Sequence, residues 1–226
     1  MVKVTAPATT ANIGPGFDVF GLAFKLYNEY TFEKADEELI IEGCPEAYNN
    51  KENLIYKSFA VTAEKLGQKA EGLKISVKTN IPVSRGLGSS SACITGGVYG
   101  ANAFYGGGLT REEMYKIAVM IEGHPDNISP CVYGGLTASM IDEEIPYCVE
   151  YDISSELMFC ALIPDFEVST SEARKILPKM VDHKDAVFNV SRAVVLLKAL
   201  ETGNLEMINI SLNDRLHQKY RGGLIH

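Results

Sequence analysis

The sequence has no surplus of positive charge: 21 Lys and Arg stand against 29 Asp and Glu, a net charge of −8. No whole-molecule field is available to hold a nucleic-acid backbone, so nucleic-acid binding is not expected. An anionic ligand would have to be drawn by local backbone amides, a helix terminus or a bound cation. Also missing is any C-x-x-C or Cys/His ligand spacing. The five cysteines, Cys44, Cys93, Cys131, Cys148 and Cys160, are scattered and odd in number. That pattern argues against a disulfide framework and a zinc site, and for buried or idle thiols. The first residues, MVKVTAPATT, show no basic stretch leading into an apolar run. No secretory signal is expected from them, and a reducing cytoplasm is the default. Repeats, low-complexity tracts and long polar linkers are absent as well.

Charge itself is absent over 25 residues, from Gly86 to Thr110, a length that could cross a bilayer. The stretch is too rich in Gly, Ser and Asn for a spanning helix, so its glycines must serve another purpose.

What is present is enough for a sizeable core: 226 residues, 46% of them hydrophobic, which fits one large domain or two small ones. Alternation or β-branched and aromatic content predicts strands over Val2–Ala6, Phe24–Glu33, Leu73–Lys78, Leu136–Ile141 and Leu157–Ile163. A helix is predicted over Asn53–Leu66, stopped by Gly67, and another over Thr110–Glu122, opened by the capping pattern Thr110-x-x-Glu113. Further helices are expected over Thr170–Leu177, Asp185–Leu200 and Leu205–Leu212. The helix after Gly88 carries Ala92, Gly96 and Gly100 four residues apart. This side-chain-free stripe calls for close approach to another element, since each interior Gly costs about 0.5–1 kcal/mol relative to Ala. A composition shift after Gly135 suggests two directly packed domains, residues 1–147 and 148–226.

The run Pro82-Val83-Ser84-Arg85-Gly86-Leu87-Gly88-Ser89-Ser90-Ser91-Ala92 lies between a predicted strand and a predicted helix. In that setting glycines let backbone amides converge on an anion, and serines at the helix start add hydroxyls near the positive end of the dipole. Neither a Walker loop, G-x-x-x-x-G-K-S/T, nor a dinucleotide fingerprint, G-x-G-x-x-G, is present. On these residues alone, a structural turn is a commoner account than a phosphate cradle.

The pattern P-x-x-x-G-L-G-S-S resembles the signature of the GHMP kinases, small-molecule kinases that use ATP. Pro7 to Asp18, Glu122-Gly-His-Pro-Asp-Asn-Ile-Ser-Pro130 with Gly134-Gly135, Ser169 to Arg174, and Asp214 to Arg221 resemble segments of the homoserine-kinase branch. The likeness runs from residue 2 to about 221. It implies an α+β, two-domain architecture. Its N-terminal ATP-binding domain would be of the kind also found in a ribosomal protein, and its C-terminal half would be ferredoxin-like and incomplete. It implies ATP and Mg²⁺ as co-substrate and ion, L-homoserine as acceptor, and a step in threonine biosynthesis.

On that resemblance, residues 82–92 bind ATP, and Asn53 contacts adenine, although a helix cap explains Asn53 equally well. Ser90 and Glu122 would hold Mg²⁺, hard oxygen ligands suiting that ion. Asp18 would receive the substrate ammonium; a turn-capping role is the alternative. Arg174 and Arg221 would hold the carboxylate with their planar forks. Asn12, His124 and Asn127 would surround the reacting hydroxyl. Asn127 cannot take a proton as a carboxylate would, so no general base is assigned and Asp126 is only a candidate. A third glycine-rich motif of the family is not found. The expected consequence is an open sheet edge and exposed apolar surface, with lower stability or pairing into a homodimer. The alternatives are another kinase of the superfamily and a non-catalytic nucleotide-binding or metabolite-binding form.

Overall fold

The structure, a computed structural model, describes residues 1–163, 165–166 and 170–224. Ser169, the first residue of the Ser169–Arg174 resemblance segment, lies outside them.

Two long strands open the chain. β1 (Val2–Ala11) runs antiparallel to β2 (Phe20–Lys34), from Val2 opposite Phe32 to Ala11 opposite Gly21, with a register shift between Pro7 and Ala8. β3 (Leu39–Glu42) lies parallel to β4 (Leu73–Lys78), and β4 pairs antiparallel with β2 from Glu29 to Lys34. β5 (Leu136–Asp142) meets β2 at Phe20–Leu22. β6 (Ile145–Tyr151) returns alongside β5. All six strands form one sheet. The boundary expected at 147/148 falls inside β6, whose pairing with β5 continues to Tyr151.

Helices α1 (Leu54–Lys65) and α2 (Ser89–Phe104) cover the sheet, with Phe59, Ala92 and Ala101 packed among Tyr30, Phe32, Leu73 and Ile75. The expected close approach of the glycine stripe is found. A Cβ on Gly96 would stand 2.4 Å from the Tyr30 ring, and one on Gly100 would stand 2.3 Å from the Phe32 ring. The uncharged stretch is therefore largely α2, a helix pressed onto buried aromatics. Among the described residues no helix is long and apolar enough to cross a membrane. α3 (Arg111–Glu122) begins with the capping box predicted at Thr110 and Glu113, and ends at Gly123 in the left-handed conformation. The short α4 (Ile128–Tyr133) follows directly.

Beyond Tyr151 the described residues form helices and no strand: α5 (Thr170–Lys175), α6 (His183–Thr202), α7 (Leu205–Ser211) and α8 (Gln218–Arg221). The strand predicted over Leu157–Ile163 does not form. Its hydrophobic residues have no neighbouring strand to complete a ladder, and Met158 and Leu162 are 97% and 91% exposed. α6 joins the rest through Leu196 and Leu200, which pack with Phe20, Leu22 and Leu136 near the start of β2. That contact brings the C-terminal helices against the chain segment between β1 and β2.

Candidate active site

The glycine-rich loop is stitched to β1. The Leu87 carbonyl accepts a hydrogen bond from the Thr9 amide at 3.1 Å, and Leu87 itself is buried. Gly88 caps α2 at φ +63°, in the left-handed region, where a Cβ would stand 2.0 Å from Thr9 Oγ1. No side chain caps this helix and no acidic residue sits in its first turn. The first amides of a 16-residue helix are thus left without a capping side chain at its positive end. Gly86 has open space around it, and Ser90 is exposed, so the turn is not walled in by packed side chains. A cavity of about 370 Å³ lies between Arg85–Leu87, the end of β1 at Thr10 and Ala11, and residues Phe159 to Leu162.

Both hydroxyls of the next two residues converge on one carboxylate. Ser90 Oγ donates to Glu122 Oε1 at 2.7 Å and Ser91 Oγ donates to the same oxygen at 3.0 Å. Ser91 is fully buried and anchors the glutamate, whereas Ser90 faces the open side. Among the described residues there is no group of three or more His, Cys, Asp and Glu able to hold a metal ion. Any Mg²⁺ here would rely on one serine, one glutamate and phosphate oxygens, a hard-donor set that suits the ion.

The second half of the site grows from the segment between β1 and β2. Asn12 and Asp18 both have positive φ, 65° and 58°, and the Asp18 amide donates to Asn12 Oδ1 at 2.9 Å. Asn and Asp are the side chains that best tolerate this conformation, since their short polar groups bond locally. Arg174 of α5 grips the Asp18 carboxylate with both ends of its fork, Nη1 to Oδ2 at 2.9 Å and Nη2 to Oδ1 at 2.7 Å. The carboxylate holds the Arg174 guanidinium above its ordinary range. Arg174 and Arg221 approach the Phe17 ring, at 5.9 and 6.0 Å from its centroid. Burial, and after it the neighbouring Arg174 charge, lowers the Arg221 pKa.

The turn between α3 and α4 links the two halves. The last residue of α3, Glu122, holds Ser90 and Ser91 just before it. Two residues on, His124 Nδ1 lies 3.2 Å from Asp126 Oδ1, and the Asp126 carboxylate raises the His124 pKa against burial and the charge of Arg174. That contact is an ion-pair distance without hydrogen-bond alignment, as Nδ1 has no aligned acceptor. Asp126 is only 2% exposed. Asn127 then accepts from Thr9 Oγ1 at 2.9 Å, beside Gly88. Residues 122–127 therefore bond to the helix start and to β1, and the charges of His124 and Asp126 are felt at Arg174.

Of the residues singled out from the sequence, Asp18, Arg174, Arg221, His124 and Asn12 come together around one cluster. Ser90, Glu122 and Asn127 meet at the head of α2. Asn53 stands apart: it is the N-cap of α1, its Oδ1 accepting from the Ile55 amide at 2.9 Å and its Nδ2 donating to the Tyr48 carbonyl at 2.9 Å. The helix-cap alternative accounts for both ends of its side chain. Sequence reasoning passed over Thr9 and Phe17. Both lie inside the Pro7–Asp18 segment, but neither residue type advertises chemistry on its own.

Comparison with known proteins gives one family. The model of the GHMP kinases N terminal domain matches residues 53–135. The homoserine kinase of Clostridium botulinum (strain ATCC 19397 / Type A) is 47% identical over 225 residues, covering 100% of this chain and 76% of that protein. The homoserine kinase of Clostridium beijerinckii is 45% identical over 226 residues, with the same coverage of 100% and 76%. The crystal structure of homoserine kinase from Cytophaga hutchinsonii superposes with a TM-score of 0.85 at 28% identity, covering 99% of this chain and 75% of that one. Matched along its whole length by homoserine kinases at 45% and 47% identity, the chain belongs to the homoserine kinase family of the GHMP kinases.

Proposed function

We propose that this chain transfers the γ-phosphoryl group of ATP to the hydroxyl of L-homoserine, giving ADP and O-phospho-L-homoserine, a step of threonine biosynthesis carried out in the cytoplasm. One observation carries the reading: Glu122 takes the hydroxyls at the start of α2, and His124 and Asp126 just after it lie within electrostatic reach of the paired Asp18 carboxylate and Arg174 guanidinium. A nucleotide's terminal phosphates fit the amides of residues 88–91, where the dipole of α2 favours negative charge. An α-amino acid fits the other half. Its ammonium takes Asp18, and its carboxylate takes Arg174 together with Arg221. In the free protein Asp18 and Arg174 satisfy each other. A substrate carrying only one of the two charges would break that pair and leave one partner unmatched, which disfavours mevalonate and similar monoanions.

Phosphoryl transfer through a loose transition state needs alignment and charge neutralisation more than a strong base. The homoserine oxygen forms its bond to the γ-phosphorus as the bond to the β–γ bridging oxygen breaks, and the hydroxyl proton leaves to a phosphoryl oxygen or water. Asn12 and His124 orient that hydroxyl. The Asp126 carboxylate beside it raises the His124 pKa and so favours the imidazolium form, which suits a hydrogen-bond donor better than a proton acceptor. Mg²⁺ arriving with the nucleotide would be held by Ser90 and Glu122 and would neutralise the terminal phosphate charge.

A coupled ADP-release assay with L-homoserine, other amino-acid alcohols and mevalonate tests this. Release with L-homoserine well above the others is expected. Nucleotide binding without turnover of any acceptor would favour a non-catalytic binding role, and turnover with mevalonate alone would reassign the substrate.

A further inference from the structure

The amino-acid site depends on a segment, residues 12–18, that has little regular structure of its own. A group of buried polar side chains from the C-terminal part of the chain holds it from one side. His217 Nε2 lies 2.9 Å from the Gly14 carbonyl, and its ring stacks on Phe17 with centroids 5.0 Å apart at 27°. Asn189 donates to the Pro15 carbonyl at 3.3 Å and to Asp214 Oδ1 at 2.7 Å. Asp214 in turn accepts the amides of His217 and Gln218 at 2.8 and 2.7 Å, which fixes the turn that carries His217. Gly14, at φ +53°, lies so close to Leu212 that a Cβ would stand 2.9 Å from its carbonyl oxygen. His217 is 6% exposed and Asn189 2%. Arg174 and Arg221 also lie over the Phe17 ring, 5.9 and 6.0 Å from its centroid, so the ring that stacks on the buried imidazole is also the one beside the carboxylate-binding forks.

We infer that His217 is a positioning residue for the amino-acid site, acting through Phe17 and the main chain of Gly14. The inference rests on the reading of Asp18, Arg174 and Arg221 as the substrate's charge partners. Its hydrogen bond fixes the path of residues 12–18, on which the left-handed Asn12 and Asp18 depend. Its ring fixes the aromatic floor under the two guanidiniums. The nucleotide half of the site does not touch it.

Substitution separates the two contributions. His217→Ala removes both and leaves the Gly14 carbonyl without its buried partner. L-homoserine should then bind about tenfold more weakly, as a lost buried hydrogen bond predicts. The Kd for ATP should stay within about twofold, because the α2 cradle is untouched. Deuterium exchange at the amides of residues 16 and 18–20, which bond locally, should quicken about tenfold while the β1–β2 ladder keeps its protection. His217→Gln keeps a donor toward Gly14 but no ring: exchange should stay near wild type while homoserine affinity falls. His217→Phe keeps the ring but no donor: exchange should quicken. These two carry the test if the alanine variant does not fold. Unchanged exchange in His217→Phe together with unchanged homoserine affinity in His217→Gln would overturn the inference. So would homoserine and ATP affinities that fall in parallel. The exchange measurement needs no ligand, so a wild-type chain that bound no homoserine would defeat the functional reading while positioning was still decided at residues 12–20.

Discussion

Replacing Arg174 by Gln should separate stability from recognition. Arg174 and Asp18 form a bidentate pair at 2.7 and 2.9 Å, but their side chains are 39% and 36% exposed. An ion pair this open to water contributes about 0.2–1 kcal/mol to folding. In a chain of this size the melting temperature should therefore drop by no more than about 4 °C. Recognition is a larger effect. The guanidinium fork is the best carboxylate donor in the cluster, and losing a charge-assisted bidentate contact costs about 1.5–3 kcal/mol. That corresponds to a rise of about 10- to 150-fold in the KM for L-homoserine. The KM for ATP should not move. Arg174→Lys keeps the charge without the fork and should recover only part of the loss. Coupled ADP release at saturating ATP, alongside a thermal melt, gives both numbers. An unchanged homoserine KM in Arg174→Gln, or a melting temperature lower by more than about 10 °C, would refute the reasoning.

Gly88→Ala should be far more damaging than Gly86→Ala. Both have φ near +65°, yet a Cβ on Gly88 meets Thr9 Oγ1 at 2.0 Å while one on Gly86 meets nothing within 4 Å. The second should cost only the left-handed strain, about 1–2 kcal/mol, and thermal melts with nucleotide titrations would tell the two apart. Ser90→Ala should leave the melting temperature unchanged, since Ser91 still anchors Glu122, and lower kcat/KM by at least about tenfold; unchanged turnover would remove Ser90 from the metal role. Asp126 holds the His124 pKa above the ordinary 6.5. The stabilisation from that pair is present in full below the unfolded pKa and is lost as pH rises through the higher folded value. Asp126→Asn should lower the His124 midpoint in an NMR titration; a midpoint that does not move would show another cause.

The fold was legible where local rules and packing agree. The capping box at Thr110, the strand Leu73–Lys78 and the helix around Phe59 appear as the sequence pattern implies. The Gly96–Gly100 stripe announced a close approach, although only the structure identifies Tyr30 and Phe32 as what it approaches. β6 was missed because its hairpin turns on Glu143 and Glu144, both with positive φ, where glycine or asparagine would have signalled the turn. The strand expected over Leu157–Ile163 failed for the opposite reason: its composition suits a strand, but pairing is a tertiary property that composition does not encode. In the site, single charged residues could be picked out by motif. Their mutual pairing could not, since Asp18 and Arg174 are 156 positions apart. His217 was quoted only as part of the Asp214–Arg221 string, because a buried histidine that meets a backbone carbonyl carries no mark in the sequence.

Phosphorus NMR of one mixture of the full chain with ATP, Mg²⁺ and L-homoserine is the most direct test. If residues 88–91 cradle the triphosphate beside an amino-acid pocket, the γ-phosphorus signal should decline as a phosphomonoester signal and the ADP signals grow in equal amount. An ATP spectrum that never changes, or one that yields only inorganic phosphate, would contradict it.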